Sequence, residues 1–260
     1  MIYSTVSSVL SAAVDDELIA RNPCKAASVR RPSIPPRRIT PWPLEQLRDL
    51  HDQLPERYAI VATIGAGLGL RQGEIFGLAV DDVDFLRGRV HVRRQVKVLP
   101  DSQLLLALPK GRKTRTVPLP HSVRDELAEH LGRYPAVHVT LPWETRDGEP
   151  TTAALIVTTR ERKAINRNYF NAQIWKRALT RAGIPATRGN GCHALRHLYA
   201  SVLLDAGESI RAVSEYLGHA DAGFTLRTYT HLMPSSEERT KSTIDQALNP
   251  RAPDVPQAAD

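Results

Sequence analysis

Residues that could do chemistry gather in four short stretches of the 260-residue chain. G-L-G-L-R-Q-G-E places Arg71 directly after an apolar run, with Glu74 one helical turn further on. An arginine there either caps a helix against solvent or projects into a site held rigid by the core. P-K-G-R-K-T-R-T-V-P-L sets Lys110, Arg112, Lys113 and Arg115 in a tight turn between two strand-like segments. Hairpin turns are commonly charged because they are solvated, but cations this dense repel one another unless an anion compensates them. C-H-A-L-R-H puts His193 and Arg196 three residues apart, one helical turn, so both can address one point. L-G-H brings His219 to the end of a helix closing at Gly218, and ten residues later comes Tyr229 in R-T-Y-T-H.

Several chemistries lack their signatures. His193 and His197 are four apart with Cys192 adjacent, but no glutamate lies between them as in H-E-x-x-H, and no paired-cysteine motif exists, so zinc is not indicated. There is no G-x-S-x-G elbow for a serine hydrolase and no G-x-x-x-x-G-K-[ST] loop for ATP. No carboxylate cluster suits two-metal phosphoryl transfer. Two arginines, a lysine, two histidines and a tyrosine remain, and they suit attack on a phosphodiester without a metal. Arginine forks stabilise charge developing on non-bridging oxygens. A hydroxyl nucleophile, a proton acceptor and a proton donor complete the set.

Those residues need elements to hold them. Apolar positions over 2–20 have approximately helical spacing and stop at Asn22-Pro23. Ser28 to Pro43 carries five prolines and four arginines and reads as an extended linker. A helix is expected to start near Pro43 and Leu44, and Tyr58 to Leu70 reads as a buried helix that Gln72 to Leu78 continues. Segments 89–98, 103–108 and 114–120 read as three short strands joined by turns. Helices are expected over Ser122–Leu131, Arg160–Arg181, Leu195–Leu204, around Ile210, Val213 and Leu217, and over Ser236–Leu248, with the last ten residues a tail. The expected class is α+β, mostly helical, with a small three-stranded antiparallel sheet.

Composition narrows the setting. Apolar residues are 42%, charged residues 24% and mean hydropathy −0.31, values of a globular chain with no run near the roughly 18 apolar residues of a membrane span. The first residues lack the basic region of a signal peptide, and Cys24 and Cys192 cannot build a disulfide framework, so a reducing cytoplasm is expected. The net charge is +7 with pI ≈ 9.6, and with only seven lysines among the 35 basic residues the surplus is carried by arginine. Arginine forks match phosphate oxygens, which suggests a polyanionic partner; a GC-rich genome would give the same bias. At 5% aromatic residues, single-strand binding through stacked bases is disfavoured.

In order, G-L-R-x-G-E, the turn lysine, H-x-L-R-H and L-G-H followed by T-x-x-x-Y-T-H resemble the tyrosine recombinase (phage integrase) family over about residues 40–235. L-G-H-A-D-A-G-F-T-L-R-T-Y-T-H-L-M-P further resembles integrases of actinobacterial phages and integrative elements. The resemblance implies a tyrosine recombinase catalytic domain in which Tyr229 attacks the scissile phosphate, giving a 3′-phosphotyrosyl link and a free 5′-hydroxyl. It implies that Arg71 and Arg196 hold the non-bridging oxygens and that His193 assists proton transfer at the tyrosine. Lys110, which opens the K-G-x-K turn, is preferred over Lys113 for protonating the leaving oxygen. His219 would hydrogen-bond the phosphate and Glu74 would orient a basic group of the site. No metal, ATP or other cofactor is implied; the partners are double-stranded DNA and further copies of the chain, in a tetrameric synapse, and no membrane.

Two departures stand out. Ala194 occupies a position where family members often carry aspartate. Residues 1–22 resemble only the last helix of a core-binding domain, with A-V-D-D-E-L-I-A-R-N-P as its ending. The expected organisation is that helix, a linker over 23–39, a catalytic domain over 40–235 and a C-terminal helix and tail over 236–260. On this reading the chain is a truncated product, a fragment or one with a mis-called start. The expected function is site-specific recombination. The alternative is a catalytically silent DNA-binding remnant of a decayed integrase, and type IB topoisomerases share the nucleophile chemistry. The C-terminal helix around Ile244 and Leu248 would pack on a neighbouring protomer or in cis.

Overall fold

The computed structural model describes residues 2–30, 40–219 and 222–229, together with positions 241, 244, 245 and 248. It divides into two units, Met1–Arg38 and Ile39–Asp260. In the first, α1 (Ile2–Asp15) is followed by a single 3-10 turn at Pro23–Lys25. Asn22 ties the two together: its Oδ1 accepts from the Cys24 amide at 2.9 Å, and its Nδ2 donates to the Ser7 carbonyl at 2.8 Å. The helix ends earlier than residue 20 because Glu17 turns left-handed, at φ 59°. It buries none of its residues, and Ile2 and Val9 are 83% and 63% exposed. The helical spacing seen in sequence therefore forms a helix whose apolar stripe this unit leaves uncovered.

The second unit begins with α2 (Leu44–Gln53), α3 (Glu56–Leu68) and α4 (Gln72–Phe76). There follow β1 (Val83–Asp84), β2 (Arg89–Val92), β3 (Gln95–Val98), β4 (Leu104–Ala107), β5 (Arg115–Pro118), α5 (His121–Arg133), β6 (Val137–Pro142) and β7 (Pro150–Leu155). The chain closes with α6 (Arg167–Tyr169), a π-helical segment Phe170–Trp175, α7 (Lys176–Arg181), α8 (His193–Asp205), α9 (Ile210–Leu217) and α10 (Ala222–Tyr229). The helix expected over Ser236–Leu248, like linker residues 31–39, lies outside the described residues except at the four positions given above, where Ile244 and Leu248 are exposed.

The architecture is mostly helical with small antiparallel sheets. One has three strands in the order β1-β2-β5, with Val90 opposite Val117; β3-β4 and β6-β7 are separate ribbons. The strands of the three-stranded sheet differ from those expected, because segment 89–98 is cut in two at Arg93-Arg94. Both guanidiniums turn to Asp82, Arg93 Nε to Oδ1 at 2.6 Å and Arg94 Nη1 to Oδ2 at 2.9 Å. Asp82 is 1% exposed, and a carboxylate so buried must be paired. The β6-β7 ribbon was not foreseen.

Two helices also differ. The apolar run expected to continue to residue 78 breaks at Gly69, whose φ of +64° caps α3 left-handed. A Cβ there would meet the Tyr199 ring, so only glycine fits. The helix expected from Arg160 begins at Arg167, where the Asn166 side chain accepts from the Asn168 and Tyr169 amides. The π segment that follows keeps Phe170 and Trp175 both buried; Trp175 stacks on Trp42 with centroids 6.5 Å apart.

The core lies between α3, α5 and α8. Gly65 lets α3 approach α8 closely, since a Cβ at this position would sit 2.6 Å from Leu195 Cδ1. Ile64, Leu68, Leu127 and Leu195 are fully buried around this contact, each contributing about 1.5–3 kcal/mol of transfer free energy. The same packing fixes the end of α3 and the start of α8, the two points from which Arg71 and Arg196 emerge. Among the described residues no helix is long and apolar enough to cross a membrane.

Candidate active site

The site is organised around the C-terminus of α9. Ser209 starts that helix, its Oγ accepting from the Ala212 amide at 3.1 Å, while Val213 and Leu217 bury its apolar face. Gly218 ends it at φ 63°. A helix end leaves carbonyls without intrahelical partners and carries partial negative charge. Here three consecutive carbonyls are each met by a different guanidinium. Arg115 Nε donates to Tyr216 O at 2.6 Å, Arg196 Nη2 to Leu217 O, and Arg71 Nη2 to Gly218 O at 3.2 Å. Arg196 also donates from Nη1 to Gly69 O at 2.7 Å, which links the ends of α3 and α9.

One carboxylate balances these cations. Glu74 sits in the first turn of α4, 1% exposed, and receives Arg115 at both oxygens, Nη1 at 3.0 Å and Nη2 at 2.7 Å. Arg71 Nη1 donates to its Oε1 at 3.0 Å, and the Arg71 amide to its Oε2 at 2.9 Å. Burial alone would raise its pKa, but the hydrogen bonds and charge of Arg115, and then Arg71, hold it at about 2. Arg196 is pushed down to about 9, by burial first and then by the charge of Arg71, and stays cationic at neutral pH. Three guanidiniums against one carboxylate leave an excess of positive charge that an external anion would relieve.

Around this centre stand the remaining candidates. His219 directly follows Gly218; its Nδ1 lies 2.7 Å from Thr225 Oγ1 and its ring packs edge-on to Phe224. Burial, then the charges of Arg196 and Arg71, push its pKa down to about 3. His193 opens α8 and is exposed, and desolvation followed by Arg196, Arg71 and Lys110 holds its pKa below the usual imidazole range. Lys110 therefore acts electrostatically on the site from the exposed β4–β5 turn, which Gly111 and Arg112 close with φ of 85° and 57°. The crowding of that turn is relieved by protein carboxylates: Arg112 pairs with Glu144 at 3.0 Å and Arg115 with Glu74. Among the described residues Lys110 and Lys113 form no ion pair.

Tyr229, at the end of α10, is 2% exposed. Its hydroxyl lies 2.6 Å from His197 Nδ1. Burial pushes its pKa up to about 12, with the positive charge of Arg196 opposing. The histidine hydrogen-bonded to the tyrosine in this structure is thus His197, one turn along α8 from His193, whose ring it meets edge-on. Ala194, at the position where aspartate was expected, is buried.

The fold therefore brings Arg71, Glu74, Arg196 and His219 to one helix end, with Lys110 acting on His193 beside them. Sequence reasoning missed Arg115 and His197. A signal for Arg115 was present: with the period of two in a strand it shares a face with buried Val117 and Leu119, and an arginine on a covered face needs an anion. His197 had been weighed only as a metal ligand. Among the described residues no three His, Cys, Asp or Glu side chains converge as a metal site.

Known proteins resemble this chain in sequence and in fold. The phage integrase family matches over residues 37–236. A tyrosine recombinase XerC-like protein of Caldanaerobacter subterraneus is 29% identical over 252 residues, which cover 90% of this chain and 62% of the relative. Tyrosine recombinase XerA of Thermococcus kodakarensis is 29% identical over 224 residues, 82% of this chain and 67% of the relative. The chain thus spans about three-fifths of the first of these proteins. Among solved structures, the Tn1549 transposon integrase in complex with a circular intermediate DNA superposes with a TM-score of 0.69 at 18% identity, covering 93% of this chain and 77% of that one. At that identity the likeness is one of fold.

Proposed function

The chain belongs to the phage integrase family, and on that premise we propose that it breaks and rejoins duplex DNA at a specific site through a covalent bond to Tyr229. The observation that carries this reading is the convergence of Arg71 and Arg196 on adjacent carbonyls at the end of α9, one residue and two from His219 respectively. Each guanidinium is braced from behind by backbone oxygen and retains further N–H donors for a phosphate. Arg71 and Arg196 take the non-bridging oxygens, His219 adds a hydrogen bond, and Glu74 holds Arg71 in place. Tyr229 attacks phosphorus to give a 3′-phosphotyrosyl link, with His193 assisting removal of its proton, and Lys110 protonates the departing 5′-oxygen. Because bond energy is kept in the phosphotyrosine, resealing to a new strand needs neither ATP nor a metal.

The domain over residues 40–235 performs this chemistry, and copies of the chain assemble on DNA as a tetrameric synapse in the cytoplasm. On a nicked duplex carrying the correct site, a covalent protein–DNA adduct is expected, unaffected by EDTA and absent in Tyr229→Phe. Equal adduct from wild type and Tyr229→Phe, or its loss in EDTA, would refute this mechanism. A second reading, a DNA-binding remnant without strand transfer, is favoured by the burial of Tyr229 at 2% exposure. It predicts specific binding of the site with no adduct from the wild-type chain.

A further inference from the structure

Arg112 and Glu144 form an ion pair at 3.0 Å between the β4–β5 turn, which carries Lys110, and the β6–β7 turn. Both residues are left-handed without being glycine, at φ 57° and 60°. Residues with a Cβ avoid that region, so it persists only where surrounding contacts fix it. We propose that Glu144 is a positioning residue for strand transfer: through Arg112 it holds the β4–β5 turn so that Lys110 faces the scissile phosphate. This deepens the strand-transfer reading above and rests on it, extending the machinery to the β6–β7 ribbon.

Glu144 is built as a fixed point. Its amide donates to Leu106 O in β4 at 2.7 Å, and Trp143 beside it forms a parallel bridge with Leu106. The turn behind it closes tightly. The Trp143 amide donates to Glu149 O at 3.1 Å, and a Cβ on Gly148 would lie 1.9 Å from Trp143 O. Arg146 adds an outer tie to Asp101 in the β3–β4 turn at 2.6 Å. The β4–β5 turn is held at both roots, where Gln95 Nε2 donates to Leu108 O at 2.6 Å and Arg115 pairs with Glu74. Between those roots the tip carries one local bond, from the Arg112 amide to Pro109 O at 2.9 Å, and the ion pair to Glu144. Lys110 sits in that tip, and its charge is felt at His193. The Arg112 side chain is 72% exposed and that of Glu144 25%, so the pair changes the population of the held turn by no more than about fivefold. That is too little to matter to folding and enough to set how often Lys110 is in place.

The test is single-turnover cleavage of a nicked site duplex in two forms, one ordinary and one with sulfur in place of the bridging 5′-oxygen. In the first, the P–O5′ bond breaks and the oxygen takes the Lys110 proton. In the second, the P–S bond breaks and a thiolate departs with no proton needed, because a thiol is a far stronger acid than an alcohol. Glu144→Gln should slow the ordinary substrate about three- to fivefold and leave the sulfur substrate at the wild-type rate. Lys110→Ala, which removes the acid itself, should show the same pattern at about 10²–10⁴-fold. In the free protein, trypsin should cut after Lys110, Arg112 and Lys113 about three- to fivefold faster in Glu144→Gln, since the released turn opens more often. Equal slowing on both substrates means that Glu144 acts on binding or folding, and overturns the proposal. An unchanged rate on the ordinary substrate, or unchanged trypsin cleavage, does so too. A sulfur substrate that Lys110→Ala fails to cleave removes Lys110 as the acid, and the proposal with it. If the wild-type chain forms no adduct on either substrate, the strand-transfer reading fails and takes the proposal with it, a failure visible before any variant is made.

Discussion

Arg115 and Glu74, 41 positions apart in the chain, face each other as a fork on a fork, with both carboxylate oxygens occupied at 3.0 and 2.7 Å. The pair ties β5 to the first turn of α4, and through Arg115 Nε to the end of α9. Arg71 and His219, which come from those last two elements, are thereby fixed against each other. An ion pair this buried is costly to break from one side, since the surviving charge has no water to turn to.

Glu74→Ala should accordingly destabilise the protein by about 3–5 kcal/mol, because two guanidiniums lose their carboxylate. Arg115→Lys keeps the charge but not the two-point geometry and should cost less, about 1–3 kcal/mol. Urea denaturation followed by circular dichroism measures both. A Glu74→Ala protein as stable as wild type would show that the pair does not hold the site.

Stability should fall in acid in two stages. His197 and His219 titrate at about 4 and about 3 in the folded chain, below the ordinary 6.5, so the unfolded chain binds more protons over that interval. Their contribution is complete above the unfolded value and is lost as pH falls from there towards the folded values. Glu74, depressed from 4.5 to about 2, adds a second loss between those values. Urea midpoints measured against pH should show the first stage flatten in His197→Gln and His219→Gln, and the second flatten in Glu74→Gln. An unchanged slope in these variants would contradict the assignment.

Gly69→Ala should cost more than about 1 kcal/mol, since an L-residue is strained at φ +64° and the added Cβ meets the Tyr199 ring. Because the Gly69 carbonyl also receives Arg196, cleavage should drop along with the melting temperature. A variant that melts lower but cleaves at the wild-type rate would separate the α3 cap from the catalytic geometry.

How much of this could be read beforehand varied with the range of the interaction. The helix stop at Gly218 that delivers His219, and the turn that presents Lys110, are written in local glycine chemistry and were legible. So was the single-turn spacing of His193 and Arg196. Arg93 and Arg94 broke an otherwise regular strand for the sake of Asp82, a residue eleven or twelve positions away that the alternation of valines gave no reason to consult. The β6-β7 ribbon was missed because V-H-V-T-L-P and P-T-T-A-A-L carry prolines and small residues that weaken a strand signal. Arg115 was counted as one of four turn cations, although its parity with Val117 marked it as inward. The His197–Tyr229 contact joins two helices 32 residues apart and had no local signature.

Binding should be strongly electrostatic. If the +7 chain neutralises about 6–10 phosphates, its affinity for a site duplex should drop roughly 10³–10⁵-fold between 50 and 200 mM salt. Arg71→Ala and Arg196→Ala should each lower the slope by about one phosphate. Fluorescence anisotropy across a salt series measures this, and a flat response would remove DNA as the partner.

The account turns on which atom of the protein becomes bonded to DNA. A nicked site duplex is trapped with the wild-type chain, the adduct is digested, and the nucleotide-bearing peptide is sequenced by mass spectrometry. The account predicts that the mass sits on Tyr229, joined through a 3′-phosphate, with the released strand carrying a 5′-hydroxyl that a kinase can label. A nucleotide on any other residue, or a 5′-linked phosphate on Tyr229, would contradict it.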